Sequence, residues 1–282
     1  MSKNRTIRNI FLAKPTIEGA GVHLKRGFGF NEVPLFDPFL LFDHFGSNNP
    51  QDYIEGFPWH PHRGIETITY ILRGTVEHGD SMGNKGIIGS GNVQWMTAGS
   101  GIIHQEMPMG DENNWNLGFQ LWANLPKSNK MMNPRYRDVK SSEIPEIITA
   151  KGAKVKIISG KVDGTNGPVQ DIVIDPEYLD VTIPPNTEYV HPTKLRHTVF
   201  TYVVEGKGYF SDEKKVVVNE NLVLFNDGEQ IVVCTEAEPV RFLLISGKPI
   251  GEPVAWYGPI VMNTQEELKI AFEEYNNGTF IK

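Results

Sequence analysis

Apolar and polar residues alternate along much of this chain in short runs bounded by glycine, asparagine and aspartate, a pattern that predicts strands rather than helices. Glu66-Thr67-Ile68-Thr69-Tyr70-Ile71-Leu72 is rich in β-branched and aromatic residues and reads as a strand that stops at Arg73-Gly74. Thr75–His78 and Val93–Met96 are further strand candidates. Between and after them, Gly79–Asn84, Gly89–Asn92 and Ala98–Gly101 supply the residues that tolerate positive φ at tight turns. Short strands joined in this way predict a small barrel.

A polar, irregular stretch from Asn124 through Arg135 interrupts the pattern, and strands resume over 154–160, 178–183, 198–204 and 231–233, with turns at Gly206, Gly208 and Asp227-Gly228. The end differs. Thr264-Gln265-Glu266-Glu267 is a capping box, and Leu268, Ala271, Phe272 and Tyr275 follow at helical spacing before Asn277-Gly278, so a helix is expected to pack its Leu268/Phe272 stripe on a barrel. The halves also echo each other, Tyr70-Ile71-Leu72-Arg73-Gly74-Thr75-Val76 against Tyr202-Val203-Val204-Glu205-Gly206-Lys207-Gly208, as a duplicated barrel would. The expectation is an all-β chain with a metal-binding barrel over residues 1–138 and a metal-free barrel plus terminal helix over 139–282.

Composition narrows the function classes. At 282 residues with 39% hydrophobic content the chain can bury two cores, and its net charge of −7 gives no general reason to bind nucleic acid or an anionic membrane. The single cysteine, Cys234, excludes an intramolecular disulfide and lies in an apolar run that suggests an inert thiol. No early apolar run resembles a signal peptide or membrane span, so a cytoplasmic protein, monomeric, is expected.

The candidate chemistry lies in two dyads, His60-Pro61-His62 and His104-Gln105-Glu106, on either side of the glycine-punctuated stretch. On a strand, an i, i+2 pair points to one face with its members roughly 6.5 Å apart. Three neutral imidazoles and one carboxylate form a donor set that suits Fe, Mn, Ni, Cu, Co or Zn and leaves a six-coordinate ion two positions for substrate or dioxygen. His60, His62, His104 and Glu106 are therefore the candidate metal and catalytic residues. Glu66 shares the parity of 60 and 62 and is the alternative carboxylate, with Glu106 then supporting from behind. Phe57 and Trp59 flank the first dyad and could wall a flat substrate, although Trp59 alternates away from the ligand face and reads alternatively as core. His23, His44, His78, His191 and His197 carry no partner pattern and read as structural or exposed. The basic segment His23-Leu24-Lys25-Arg26 reads as a solvated loop or a docking surface.

Phe57-Pro58-Trp59-His60-Pro61-His62-Arg63-Gly64-Ile65-Glu66-Thr67 and Gln94-Trp95-Met96-Thr97-Ala98-Gly99-Ser100-Gly101-Ile102-Ile103-His104-Gln105-Glu106 resemble the two metal motifs of cupins, and more closely those of pirins, the two-cupin family. Pro38–Asp43 adds to the likeness, which extends over the whole chain and loosens after about residue 140. Thr97 in place of the usual cupin proline, and Glu66 where many cupins keep a carboxylate ligand, both fit pirins rather than cupins at large. The resemblance implies tandem jelly-roll barrels and one iron, Fe(II), held by His60, His62, His104 and Glu106. It also implies a quercetinase-like dioxygenase that opens the central ring of a flavonol with loss of carbon monoxide. Its small-molecule partners would be an aromatic substrate and dioxygen. The alternative it offers is an iron-binding, redox-sensing regulator that engages a protein partner.

Overall fold

The computed structural model describes residues 2–213 and 215–282, which form two β-rich units, one of residues 14–141 with 250–282 and the other of residues 2–13 with 142–249. Strand β1 (Ile7–Leu12) belongs to the second unit, where it pairs antiparallel with Asn221–Phe225. The first unit contains β2 (Lys14–Glu18), β3 (Val22–Phe28), β4 (Phe39–Ser47), β5 (Phe57–His62), β6 (Ile65–Arg73), β7 (Thr75–Asp80), β8 (Lys85–Ile88), β9 (Val93–Thr97), β10 (Ile102–Met109), β11 (Asn116–Asn124) and β12 (Arg135–Val139). Among the described residues they make a seven-stranded sheet, β12-β9-β6-β11-β4-β3-β2, and a four-stranded sheet, β5-β10-β7-β8. The strands expected from alternation all appear, within a few residues of their predicted ends.

The second unit repeats the order of the first. Its main sheet runs β1, Asn221–Phe225, Thr198–Tyr209, Val240–Gly247, Glu177–Ile183, Lys154–Ser159, Glu146–Ile148. The two echoing segments are thus the third strand of their respective sheets, and each bends at a glycine with φ of +77°, Gly74 and Gly206. A Cβ there would stand 2.6 Å from the carbonyl oxygens of Met109 and Trp115 at Gly74, and 2.1 Å from that of Pro239 at Gly206, so only glycine fits. The interior of this unit is apolar, with Val155, Ile157, Leu179, Val181, Phe242 and Leu244 fully buried. Cys234 is half-buried, and burial pushes its thiol pKa up.

The terminal segments depart from the division at residue 138. In place of β12, the second sheet takes β1 from the far end of the chain as its edge strand. The carboxy-terminal hairpin (Ala255–Tyr257 with Ile260–Met262) and helix α1 (Gln265–Asn276) pack within the first unit instead. Leu268 and Ala271 of the helix, with Phe280, bury themselves against Ala255, Ile260, Met262 and Ile103. Thr264 caps this helix through the expected reciprocal bonds with Glu267. No helix among the described residues is long and apolar enough to cross a membrane.

Candidate metal centre

The small sheet presents both dyads. Strand β5 lies at its edge, where Pro58 and Pro61 deprive no neighbour of a ladder donor, and β10 pairs with it in a register that sets His104 opposite His60 and Ile102 opposite His62. All three imidazoles consequently leave the same face, with ring centroids 4.4 to 5.0 Å apart and ligand nitrogens within 4.8 Å of one another. His62 and His104 are fully buried and His60 is half-buried.

Hydrogen bonds fix the protons on two of the rings. His60 Nδ1 stands 2.8 Å from the carbonyl of Pro58, and His62 Nδ1 stands 3.0 Å from that of Pro259. A carbonyl only accepts, so each Nδ1 carries a proton, and in the neutral ring Nε2 then carries the lone pair. Those two Nε2 atoms nevertheless face each other at 3.1 Å. Neither nitrogen of His104 has a hydrogen-bond partner among the described residues, although both are buried. Burial first, and then the neighbouring imidazoles, hold His62 and His104 well below the usual histidine pKa, so both are neutral near pH 7. Converging lone pairs without protons to separate them are what a cation would satisfy, and the donor set fits a transition metal.

Glu106 emerges on the same face of β10 as His104, but its carboxylate stands outside the tight imidazole cluster. It accepts bonds from Thr69 Oγ1 at 3.2 Å and Gln120 Nε2 at 3.1 Å. Glu66 points elsewhere. Its carboxylate accepts from Thr97 Oγ1 at 2.6 Å and Trp95 Nε1 at 3.1 Å, and burial raises its pKa. Parity failed for Glu66 because Gly64, at φ +78°, turns the chain between β5 and β6 and sends the two strands into different sheets.

His60, His62, Glu106 and Gln120 open onto a cavity of about 660 Å³ whose aromatic walls are Phe30, Phe57, Trp122, Trp256 and Tyr257. Trp122 stands edge-on to His62 at 5.0 Å and tilts against Trp256 at 5.8 Å. The family model described as pirin matches residues 21–123, and that of the pirin C-terminal cupin domain matches residues 178–281. A pirin-like protein of Caulobacter vibrioides is 41% identical over 98% of this chain and 99% of its own length. The chain belongs to the pirin family. A crystal structure of quercetin 2,3-dioxygenase from Acinetobacter baumannii superposes on this pirin with a TM-score of 0.89 at 28% identity, covering 98% of each chain. The fold is shared too by a bacterial pirin from Escherichia coli solved in complex with nickel(II), with a TM-score of 0.64 at 24% identity over 86% of this chain and 100% of that one.

Several residues of this pirin's site went unnoticed in the sequence. Trp256, Tyr257 and Pro259 come from the carboxy-terminal hairpin, nearly 200 positions from His62. Arg26, expected in a solvated loop or docking surface, lies on β3 and lines the cavity, bonded twice to Asp43 (2.9 and 2.8 Å) and once to Glu18 (2.8 Å). Phe57 joins the wall as expected, whereas Trp59 is 52% exposed and points away. A polar row also crosses the large sheet in register, Arg26–Asp43–Gln120–Thr69–Gln94–Asp138, one residue from each of six strands. Directly opposed residues share a face, so this row lines one side of the sheet. Of the remaining histidines, His78 is buried against Gln94, His44 stacks on Phe119, and His23 is exposed beside Asp52. In the other unit His191 is buried beside Glu177, and His197 faces Asp175.

Proposed function

We propose that this pirin is a metal-dependent dioxygenase that opens the central ring of quercetin-like flavonols at a mononuclear centre of His60, His62, His104 and Glu106, with Fe(II) as the ion. The observation that carries this reading is the convergence of unprotonated imidazole nitrogens at the wall of a cavity lined by flat aromatic side chains.

An ion held there supplies Lewis acidity toward the adjacent hydroxyl and carbonyl of a flavonol. The chain's own residues supply the rest. Trp122, Trp256 and Phe57 offer apolar faces to the fused rings and exclude water from them. Glu106 lines the same cavity and is the base for the substrate's hydroxyl proton, its carboxylate steered by Thr69 and Gln120. The Pro58 and Pro259 carbonyls keep His60 and His62 in the tautomer that offers Nε2.

The test is to load the protein with iron, mix it with quercetin under oxygen, and measure carbon monoxide together with loss of the flavonol absorbance. Stoichiometric carbon monoxide that disappears in His104→Ala is the expected result. Quercetin left intact by fully loaded protein, or turnover unaffected by His104→Ala, would remove this reading.

A further inference from the structure

The cavity has a second polar station. Glu18, Arg26 and Asp43 all line it, and no step of the proposed chemistry uses them. Their position follows from the sheet. Gln120, bonded to Glu106, is in register with Asp43 on the next strand, and Asp43 is in register with Arg26 on the strand beyond. With neighbouring strands about 4.8 Å apart, Asp43 and Arg26 stand roughly 5 and 10 Å along the sheet from Gln120, which bonds the Glu106 carboxylate, and they share the cavity with His60 and His62. A three-ring ligand chelated by its hydroxyl and carbonyl would reach this station with its far ring.

The station's chemistry is definite. Arg26 is clamped in a plane by Nε and Nη2 bonds to the two Asp43 oxygens and by an Nη1 bond to Glu18. Two carboxylates against one guanidinium leave a net charge of −1, and each carboxylate oxygen keeps a second lone pair for another donor. Asp43 is buried, and Glu18 is 42% exposed at the rim. A group bringing hydroxyl protons is welcomed there, and a second anion is repelled. A cross-strand ion pair of purely structural purpose would favour no ligand.

We infer that the Glu18–Arg26–Asp43 station selects ligands whose far ring carries neutral hydroxyls, of the catechol kind, and rejects those whose far ring carries a carboxylate. The inference rests on the proposed flavonol site, and binding and turnover separate the two. Quenching of the tryptophan fluorescence, to which Trp122 and Trp256 contribute, reports binding by the metal-loaded protein whether or not chemistry follows. The probes are quercetin, with two far-ring hydroxyls, galangin, with none, and a flavonol bearing a far-ring carboxylate.

The wild-type protein should bind quercetin about tenfold more tightly than galangin, as expected for hydrogen bonds to charged acceptors, and the carboxylate most weakly. Asp43→Asn and the rim variant Glu18→Gln should each shrink the quercetin preference and improve binding of the carboxylate. Equal binding of quercetin and galangin by the wild type, or a preference retained in both variants, overturns the inference. Selective binding without carbon monoxide release would instead overturn the dioxygenase reading alone.

Discussion

His60 and His62 place their Nε2 atoms 3.1 Å apart, and each ring directs Nδ1 at a backbone carbonyl, so that in the neutral rings no proton lies between the two Nε2 atoms. Two lone pairs at that distance repel unless a cation lies against both. Metal binding should therefore stabilise this pirin as well as equip it. At an ion concentration a hundredfold above Kd the gain is about 2.7 kcal/mol, which corresponds to a rise in Tm of roughly 5–10 °C. Differential scanning fluorimetry with and without iron or nickel measures it. His62→Ala should lose both the shift and the bound ion in elemental analysis.

Glu106 and Glu66, the two carboxylates that sequence parity could not separate, should respond oppositely to amide substitution. Glu106→Gln keeps its shape but removes the base and weakens a ligand of the proposed centre, so flavonol turnover is expected to fall by about 10²–10⁴ and bound metal to decrease. In Glu66→Gln, by contrast, an amide NH₂ is brought against a donor, Thr97 Oγ1 or Trp95 Nε1, both of which now donate to the carboxylate. That should cost about 1–3 kcal/mol of stability with metal content unchanged. Parallel metal analysis and thermal melts of the two variants decide whether Glu66 has any part in the centre.

The difference between those glutamates also marks the limit of what was legible in the sequence. Strand positions, the capped helix, and the shared face within each dyad followed from spacing, because period-two alternation and capping chemistry are local properties, whereas the meeting of His104 with His60 and His62 was implied by the family resemblance. The role of Glu66 did not follow, because it turns on Gly64 sending the chain into another sheet. Pro259 was out of reach for a related reason: its carbonyl orients His62 from a hairpin 197 residues away, and no local pattern encodes that meeting. The in-register polar row left a fainter trace. Asp43 ends the apolar run Phe39-Leu40-Leu41-Phe42, and Thr69 and Gln94 interrupt strands that otherwise look like core, so a barrel with a polar interior could have been suspected.

Lys130 makes stability depend on pH in a direction opposite to that of a surface lysine. Its buried ammonium donates to the carbonyls of Gly64 and Val261 and to Asn124 Oδ1, and burial lowers its pKa from 10.5 to about 7. Between those values the unfolded chain binds more protons than the folded one, so stability rises with pH across the window. Lys130→Met removes the shared donor from Asn124 Oδ1, Val261 O and Gly64 O, the last of which keeps its bond from Leu125 N, and is less stable throughout, but it lacks this gain. The Tm difference between wild type and variant should accordingly widen from pH 7 to pH 9, and a constant difference would show that Lys130 stays charged.

Arg63 ties the carboxy-terminal helix to the metal strand, and the tie should be measurable at the metal. It follows His62 directly and is 2% exposed, with Nε donating to Ser100 O, Nη1 to Glu274 Oε2, Nη2 to Phe280 O, and its plane 4.1 Å above the Phe280 ring. Glu274→Ala leaves a buried guanidinium without its counter-charge. The full penalty for such a break is about 3–5 kcal/mol, and the 24% exposure of the Glu274 side chain lets water recover part of it, leaving about 1–3 kcal/mol. Because the same backbone holds His62, affinity for the ion should drop by about 10-fold or more, as with other supports of metal ligands. Glu274→Gln keeps an acceptor and should lose less. Acid supplies an independent check: the bond from Lys282, and then Arg63, hold the Glu274 carboxyl below its usual pKa of 4.5. The stability it contributes is present above that value and is lost as pH falls through the depressed one, so wild type and Glu274→Gln should converge in Tm only below pH 4.5. Convergence already at neutral pH would mean that the Arg63–Glu274 pair contributes nothing to holding the first dyad.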